Sequence, residues 1–216
     1  MRYSLILLIV LIALAPTETL AARPDKRVDV QKLVARLEKA KDWRAEYAKL
    51  SLTERAAIDR YATEGEVTVE VSQAEPIPDP QQAMKDGGAE DSVSVQAAGC
   101  WQRAYTRRFK NWLGVQLWRF TQYLYWCGNG SGIDQYPASW INVDYSMFWQ
   151  WGGIIGENFL GGYGYNGIRV YRQGYFKYCP FQVGCMREDK PYIYQQGMAN
   201  GDYYRWGGGG TGSYDG

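Results

Sequence analysis

The sequence predicts a mainly β protein: a disulfide-stapled antiparallel β-sandwich preceded by a short helical N-terminal segment. Three observations carry this. Residues 98–216 hold 29 of the 33 aromatic side chains and all four cysteines. Within them Tyr, Trp, Val, Ile and Thr recur in short runs, the residue types that suit a pleated, half-buried surface. Glycine-rich breaks at 128–132, 152–153, 161–164 and 197–201 separate those runs at the spacing expected of strands joined by turns.

The elements follow in chain order. Arg2, an apolar run of 11 residues from Leu5 to Ala15, the helix breaker Pro16 and the small residues Ala21 and Ala22 have the three parts of a secretory signal peptide. A bilayer-spanning helix needs about 20 apolar residues, so residues 1–22 read as a cleaved leader. Residues 23–74 read as a helical N-terminal segment, a candidate pro-region. Val30, Leu33, Val34, Leu37, Trp43 and Tyr47 give an apolar stripe at helical spacing over 27–62. Ser51 and Glu54 fit a capping box, which starts a second helix near Leu52 and carries it to about Thr63, where Gly65 stops it. Val67 to Val71 alternates as a short strand. Residues 75–97, with Pro76, Pro78 and Pro80, have the composition of a linker in which regular pairing is not expected. The β domain spans 98–206, with strands near 99–109, 115–127, 132–145, 153–160, 167–178 and 190–205. Residues 207–216 form a glycine-rich tail expected to be disordered.

A hairpin turning at Asn111–Gly114 sets Cys100 directly opposite Cys127, close enough for a disulfide at a non-hydrogen-bonded site. Cys179 and Cys185 then close a small loop around Pro180. The cysteine spacing lacks the close pairs of a zinc site, so no metal and no cofactor are expected. There is no histidine, which excludes serine triads and Cys–His proteases of the usual kind.

Extending the register through a turn at Gly128–Ser131 pairs Tyr125 with Asp134, Tyr123 with Tyr136 and Arg119 with Trp140. One face then collects Trp118, Phe120, Leu124, Trp126, Ile133, Ile141 and Val143 as core. The other collects Arg119, Tyr123, Tyr125, Asp134, Tyr136 and Trp140, with Asn142 and Asp144 further along. Aromatic planes beside short polar groups are what a carbohydrate surface requires, so these six residues are the candidate ligand-binding face for an extracellular glycan or cell-wall polymer. Aromatic enrichment is also ordinary in strands, and a covered face would make the same residues core. A carboxylate pair such as Asp144 and Glu157 would instead suit a glycosidase, if brought about 5–10 Å apart.

Charge bears on partners. Residues 23–99 hold 12 basic and 15 acidic side chains, and residues 98–216 hold 11 and 7, so the segments carry −3 and +4. A formal charge of +1 overall argues against a general nucleic-acid binder.

At Gly99-Cys-Trp101, Asn111-Trp-Leu-Gly114 and Tyr125-Trp-Cys-Gly-Asn-Gly130, followed by Ile133, the chain resembles a group of uncharacterised secreted bacterial proteins, many of them actinobacterial. The resemblance covers roughly residues 99–145. It implies a secreted β-sandwich but no established activity, so it transfers no functional residue. Together these readings point to a secreted, non-catalytic binding or envelope-associated module. The alternatives are a carboxylate-dependent extracellular hydrolase and a secreted antibacterial or inhibitor protein with a helical pro-region.

Overall fold

The computed structural model describes residues 28–72, 75–77, 99–181 and 184–209. The leader, residues 210–216 and most of the linker lie outside the described residues, whereas Gly207 and Gly208, expected in a disordered tail, pair with Ile193 and Tyr192 in the last strand.

Three short helices come first: α1 (Val30–Glu38), α2 (Trp43–Ala48) and α3 (Leu52–Thr63). The expected continuous first helix is broken at residues 39–42. The Asp42 carboxylate takes the backbone N–H groups of Arg44 and Ala45 and starts a new helix there. Ser51 and Glu54 form the expected capping box on α3. Gly65 opens a strand rather than ending the helix. A Cβ there would lie 2.0 Å from the Lys110 carbonyl oxygen, so only glycine lets the two backbones approach.

Among the described residues ten strands make two antiparallel sheets packed as a sandwich. Sheet 1 has the order β1 (Gly65–Val71), β3 (Gly99–Asn111), β4 (Gln116–Gly128), β5 (Ala138–Tyr145), with β2 (Glu75–Ile77) also pairing β3. Sheet 2 has the order β10 (Tyr203–Gly208), β9 (Tyr192–Met198), β7 (Gly167–Tyr178), β6 (Trp149–Gly161), with β8 (Arg187–Asp189) pairing β7. β2 is a correction, since three residues of the supposed linker pair with β3. Pro76 is tolerated because β2 lies on the margin of the sheet, where a missing N–H costs no ladder bond. The expected strand over 190–205 is a hairpin instead, β9 and β10, turning through residues 199–202.

The first hairpin has the expected register, with Cys100 opposite Cys127 and Phe109 opposite Trp118. Both expected disulfides, Cys100–Cys127 and Cys179–Cys185, are formed. The second hairpin is displaced by four residues. Tyr123 pairs with Trp140 rather than Tyr136, Arg119 with Asp144 rather than Trp140, and Tyr125 with Ala138 rather than Asp134. The turn after β4 is not tight. The Asn129 side chain accepts from the backbone N–H groups of Ser131 and Gly132, and Ile133 bridges both Gly128 and Tyr163. Residues 129–137 are therefore used up in a loop before β5 begins. Because four is even, every β5 side chain keeps its predicted face.

The sandwich interior is aromatic and closely packed. Trp118 stacks on Phe176 at 4.9 Å, and Trp126 lies against Tyr203 at 6.0 Å. A Cβ on Gly197 would meet the Trp126 indole at 2.5 Å, so the absence of a side chain there makes room for the ring. One end is closed by the helices, whose Leu37, Tyr47, Ile58 and Tyr61 share a core with Phe109, Phe148, Trp149 and Tyr178. Polar fastenings fix this cap. Trp149 Nε1 donates to the Ala62 carbonyl at 3.1 Å, and the Tyr47 and Tyr178 hydroxyls both donate to Asp59 Oδ1 at 2.7 Å. Burial, then the Asp59 carboxylate, push both phenols above their ordinary range. Below the cap, fully buried Asp189 accepts from Trp118 Nε1 at 2.8 Å and from Arg187 Nε at 2.9 Å. Burial raises its carboxyl despite both donors.

Candidate functional site

The six candidate residues do not form one surface. Four are mounted on strands of sheet 1 and point away from the core: Arg119, Tyr123, Tyr125 and Trp140. Tyr123 on β4 and Trp140 on β5 are direct cross-strand partners. Their rings are nearly parallel, at 7° and 5.1 Å between centroids. That spacing matches the separation of adjacent strands, so the rings stand upright on the sheet and stack along the hydrogen-bonding direction. β5 is the edge strand, which turns the far face of the indole outward over the sheet margin. Trp140 is 42 % exposed.

Two strand turns along the same face, Arg119 Nη2 lies 3.8 Å from Asp144 Oδ2, and Gln116 Nε2 donates to the same oxygen at 2.9 Å. Exposed Asn142 sits between Trp140 and Asp144 on β5. Trp140 and Asp144 are thus about 13 Å apart along the strand, at about 3.3 Å per residue. Tyr125 is on this face but half-buried, its hydroxyl donating to Cys127 Sγ at 3.0 Å. Asp134 and Tyr136 belong to the 129–137 loop. Asp134 is exposed and its backbone N–H donates to the Cys127 carbonyl. Tyr136 is the most exposed aromatic among the described residues, at 82 %, and stacks on Tyr163 at 5.2 Å.

The expected core face holds. Trp118, Phe120, Leu124, Trp126 and Ile133 are buried, and Ile141 and Val143 pack against the cluster. The carboxylates considered for hydrolysis sit on different sheets. Asp144 is held by Arg119 and Gln116, and Glu157 on β6 by Arg172, with Nε 2.5 Å from Oε1. All four cysteines are in disulfides, and among the described residues no cluster of three or more Cys, Asp or Glu is placed to hold a metal ion.

A second aromatic face went unread in the sequence. On the outside of sheet 2, Asn158, Tyr171, Tyr194 and Trp206 form one row across four strands. Trp206, on edge strand β10, stacks on Tyr194 at 3.6 Å. The signal was available in the alternation of Arg169, Tyr171, Gln173, Tyr175 and Lys177, and of Tyr192, Tyr194 and Gln196, which places those residues on one face of their strands.

Comparison with known proteins identifies no relative: no family model, no curated protein and no solved structure matches the chain.

Proposed function

We propose that the protein is a secreted, non-catalytic binding module whose sheet 1 edge engages a glycan or cell-wall polymer. The observation that carries this is Trp140: a tryptophan on an edge strand, stacked on Tyr123 and still 42 % exposed. A ring in that position can stack on the apolar face of a sugar, while Asn142, Asp144 and Arg119 offer hydrogen-bonding groups to hydroxyls further along. Carboxylates held by arginines on separate sheets support binding over hydrolysis. Export is read from the N-terminal pattern, and two disulfides fit an oxidising compartment. Among the described residues no helix is long and apolar enough to cross a membrane. The helices share one core with both sheets, so the reading takes helices and sandwich as a single working unit.

The test is retention on insoluble cell-wall material, measured beside thermal stability. Trp140→Ala is expected to lose at least fivefold in retention. Its melting temperature should move by less than about 2 °C, as for a surface substitution. Unchanged retention with a large stability loss would show Trp140 to be structural. Retention that depends on Trp206 and not Trp140 would move the site to sheet 2 and overturn the assignment.

A further inference from the structure

On the flank of the sandwich opposite Trp140, β3 of sheet 1 meets β10 of sheet 2. Arg103 and Arg107 point inward from β3, and Arg205 points toward them from β10, all three on inward-facing register positions. The guanidinium of Arg103 lies 5.2 Å from the Tyr203 ring centre, and that of Arg205 lies 6.0 Å from the Tyr105 ring centre. Arg107 is 8 % exposed, Arg103 is half-buried and Arg205 is exposed, so the cluster runs from the surface into the seam.

Among the described residues Arg36, Arg44, Arg55 and Arg169 also make no salt bridge; what distinguishes Arg103, Arg107 and Arg205 is that they gather in one seam without a counter-charge. Arg60, Arg108, Arg119, Arg172 and Arg187 each have a carboxylate partner. Among the described residues none pairs with Arg103, Arg107 or Arg205. Arg103 Nη1 donates to the Ser72 carbonyl at 3.2 Å, and Arg107 Nη2 to the Gly209 carbonyl at 2.9 Å. Nε of both Arg103 and Arg107 is buried without a partner. Burial lowers both guanidiniums, and the neighbouring charge of Arg205 adds to the effect on Arg103. Like charges gathered in a partly desolvated seam are unfavourable until an anion joins them, and a planar guanidinium suits an oxyanion.

We propose that this seam is an oxyanion site that takes a carboxylate or phosphate group of an acidic polysaccharide. The inference rests on the glycan reading and narrows it to an anionic polymer, with the aromatic edge and the arginine seam on opposite flanks of the same sandwich.

Two measurements on the full chain test it. In the first, arginine Nε–Hε NMR resonances are followed while galacturonate or inorganic phosphate is added. Movement of Arg103, Arg107 and Arg205 signals is expected, and the stronger of the two anions identifies the source chemistry. No movement with either overturns the proposal. The second compares retention on polygalacturonate with retention on its methyl ester, which has the same backbone without the charge. Wild type should prefer the acid form and lose that preference as salt screens the contact. A double variant, Arg103→Gln with Arg205→Gln, should lose at least fivefold on the acid form alone. Equal binding to both polymers, or an unaffected double variant, overturns the inference. Trp140→Ala separates the two claims. If it loses binding to both polymers while the arginine variant binds as wild type, the glycan reading stands and the seam does not. If only the arginine variant loses binding, the seam stands and the aromatic edge does not. Should the double variant instead melt higher than wild type and bind unchanged, the cluster is a cost of the fold rather than a site.

Discussion

The outer faces of the two sheets are both rich in tyrosine, and each has a stacked pair at an edge strand, but most of the sheet 2 tyrosines are seated differently. On sheet 2, three tyrosines lie over glycines of a neighbouring strand. A Cβ on Gly152 would meet the Tyr175 ring at 2.5 Å, one on Gly208 the Tyr192 ring at 2.7 Å, and one on Gly156 the Tyr171 ring at 3.3 Å. Each ring covers backbone that has no side chain of its own, which compensates for glycine in a strand. β4 and β5 of sheet 1 contain glycine only at Gly128, the last residue of β4. Tyr123 and Trp140 therefore have nothing to lie over, and they stand up and stack. The difference separates two uses of an aromatic residue: a ring that covers glycine is packing, and a ring stacked at an edge keeps a face for something else.

The largest effect should come where the same covering occurs inside the sandwich. Trp126 covers Gly197 and is fully buried, so Trp126→Ala should cost about 3–5 kcal/mol. Denaturant unfolding checks this, and a cost below about 1 kcal/mol would mean that covering glycine is not a packing device in this fold.

An intermediate effect is expected on the outside of sheet 2. Gly208→Val would drive a side chain into the Tyr192 ring and should cost about 1–3 kcal/mol, as overpacking does. Trp140→Ala, at the sheet 1 edge, should stay within about 0.5 kcal/mol. If the two substitutions cost the same, the contrast between the faces collapses.

The smallest effect is a titration. The Tyr175 hydroxyl donates to the Glu188 carboxylate, and this bond, ahead of burial, pushes the phenol up to about 12. A folded value raised above the unfolded one stabilises below the unfolded value, and that contribution disappears as pH rises through about 12. Glu188 is lowered by the same bond, so its contribution is present above the ordinary carboxylate range and is lost as pH falls through its folded value. Glu188→Gln should return the Tyr175 phenol toward 10, read from its ring resonances in alkaline solution. An unmoved Tyr175 would assign the shift to burial instead.

The legible parts of the fold were those fixed by local chemistry. The turn at Asn111–Gly114 is short, with Asn111 Oδ1 accepting from the backbone N–H groups of Leu113 and Val115, so counting outward from it placed Cys100 against Cys127. The turn after β4 looked similar and was not. Asn129 folds its loop back on itself, and Ile133 is taken up in bridging Gly128 and Tyr163, a contact between distant parts of the chain. That contact had no local signature, and it moved Asp134 and Tyr136 off the strand. Trp140 kept its face only because the slip was even. The arginine seam was illegible for a different reason. Arg103 and Arg107 are ordinary strand residues until sheet 2 delivers Arg205 beside them, a matter of how the layers stack.

The Cys100–Cys127 bridge also has a mechanical meaning. A β-hairpin under tension opens like a zipper from its free end, each broken rung loading the next. Here the free end of β3 and β4 is closed by a covalent bond. A pull on β5 reaches β4 through their shared ladder, but it cannot start peeling β4 from β3 at that end. Trp140 is thus carried next to a pair of strands that tension cannot unzip from their open end.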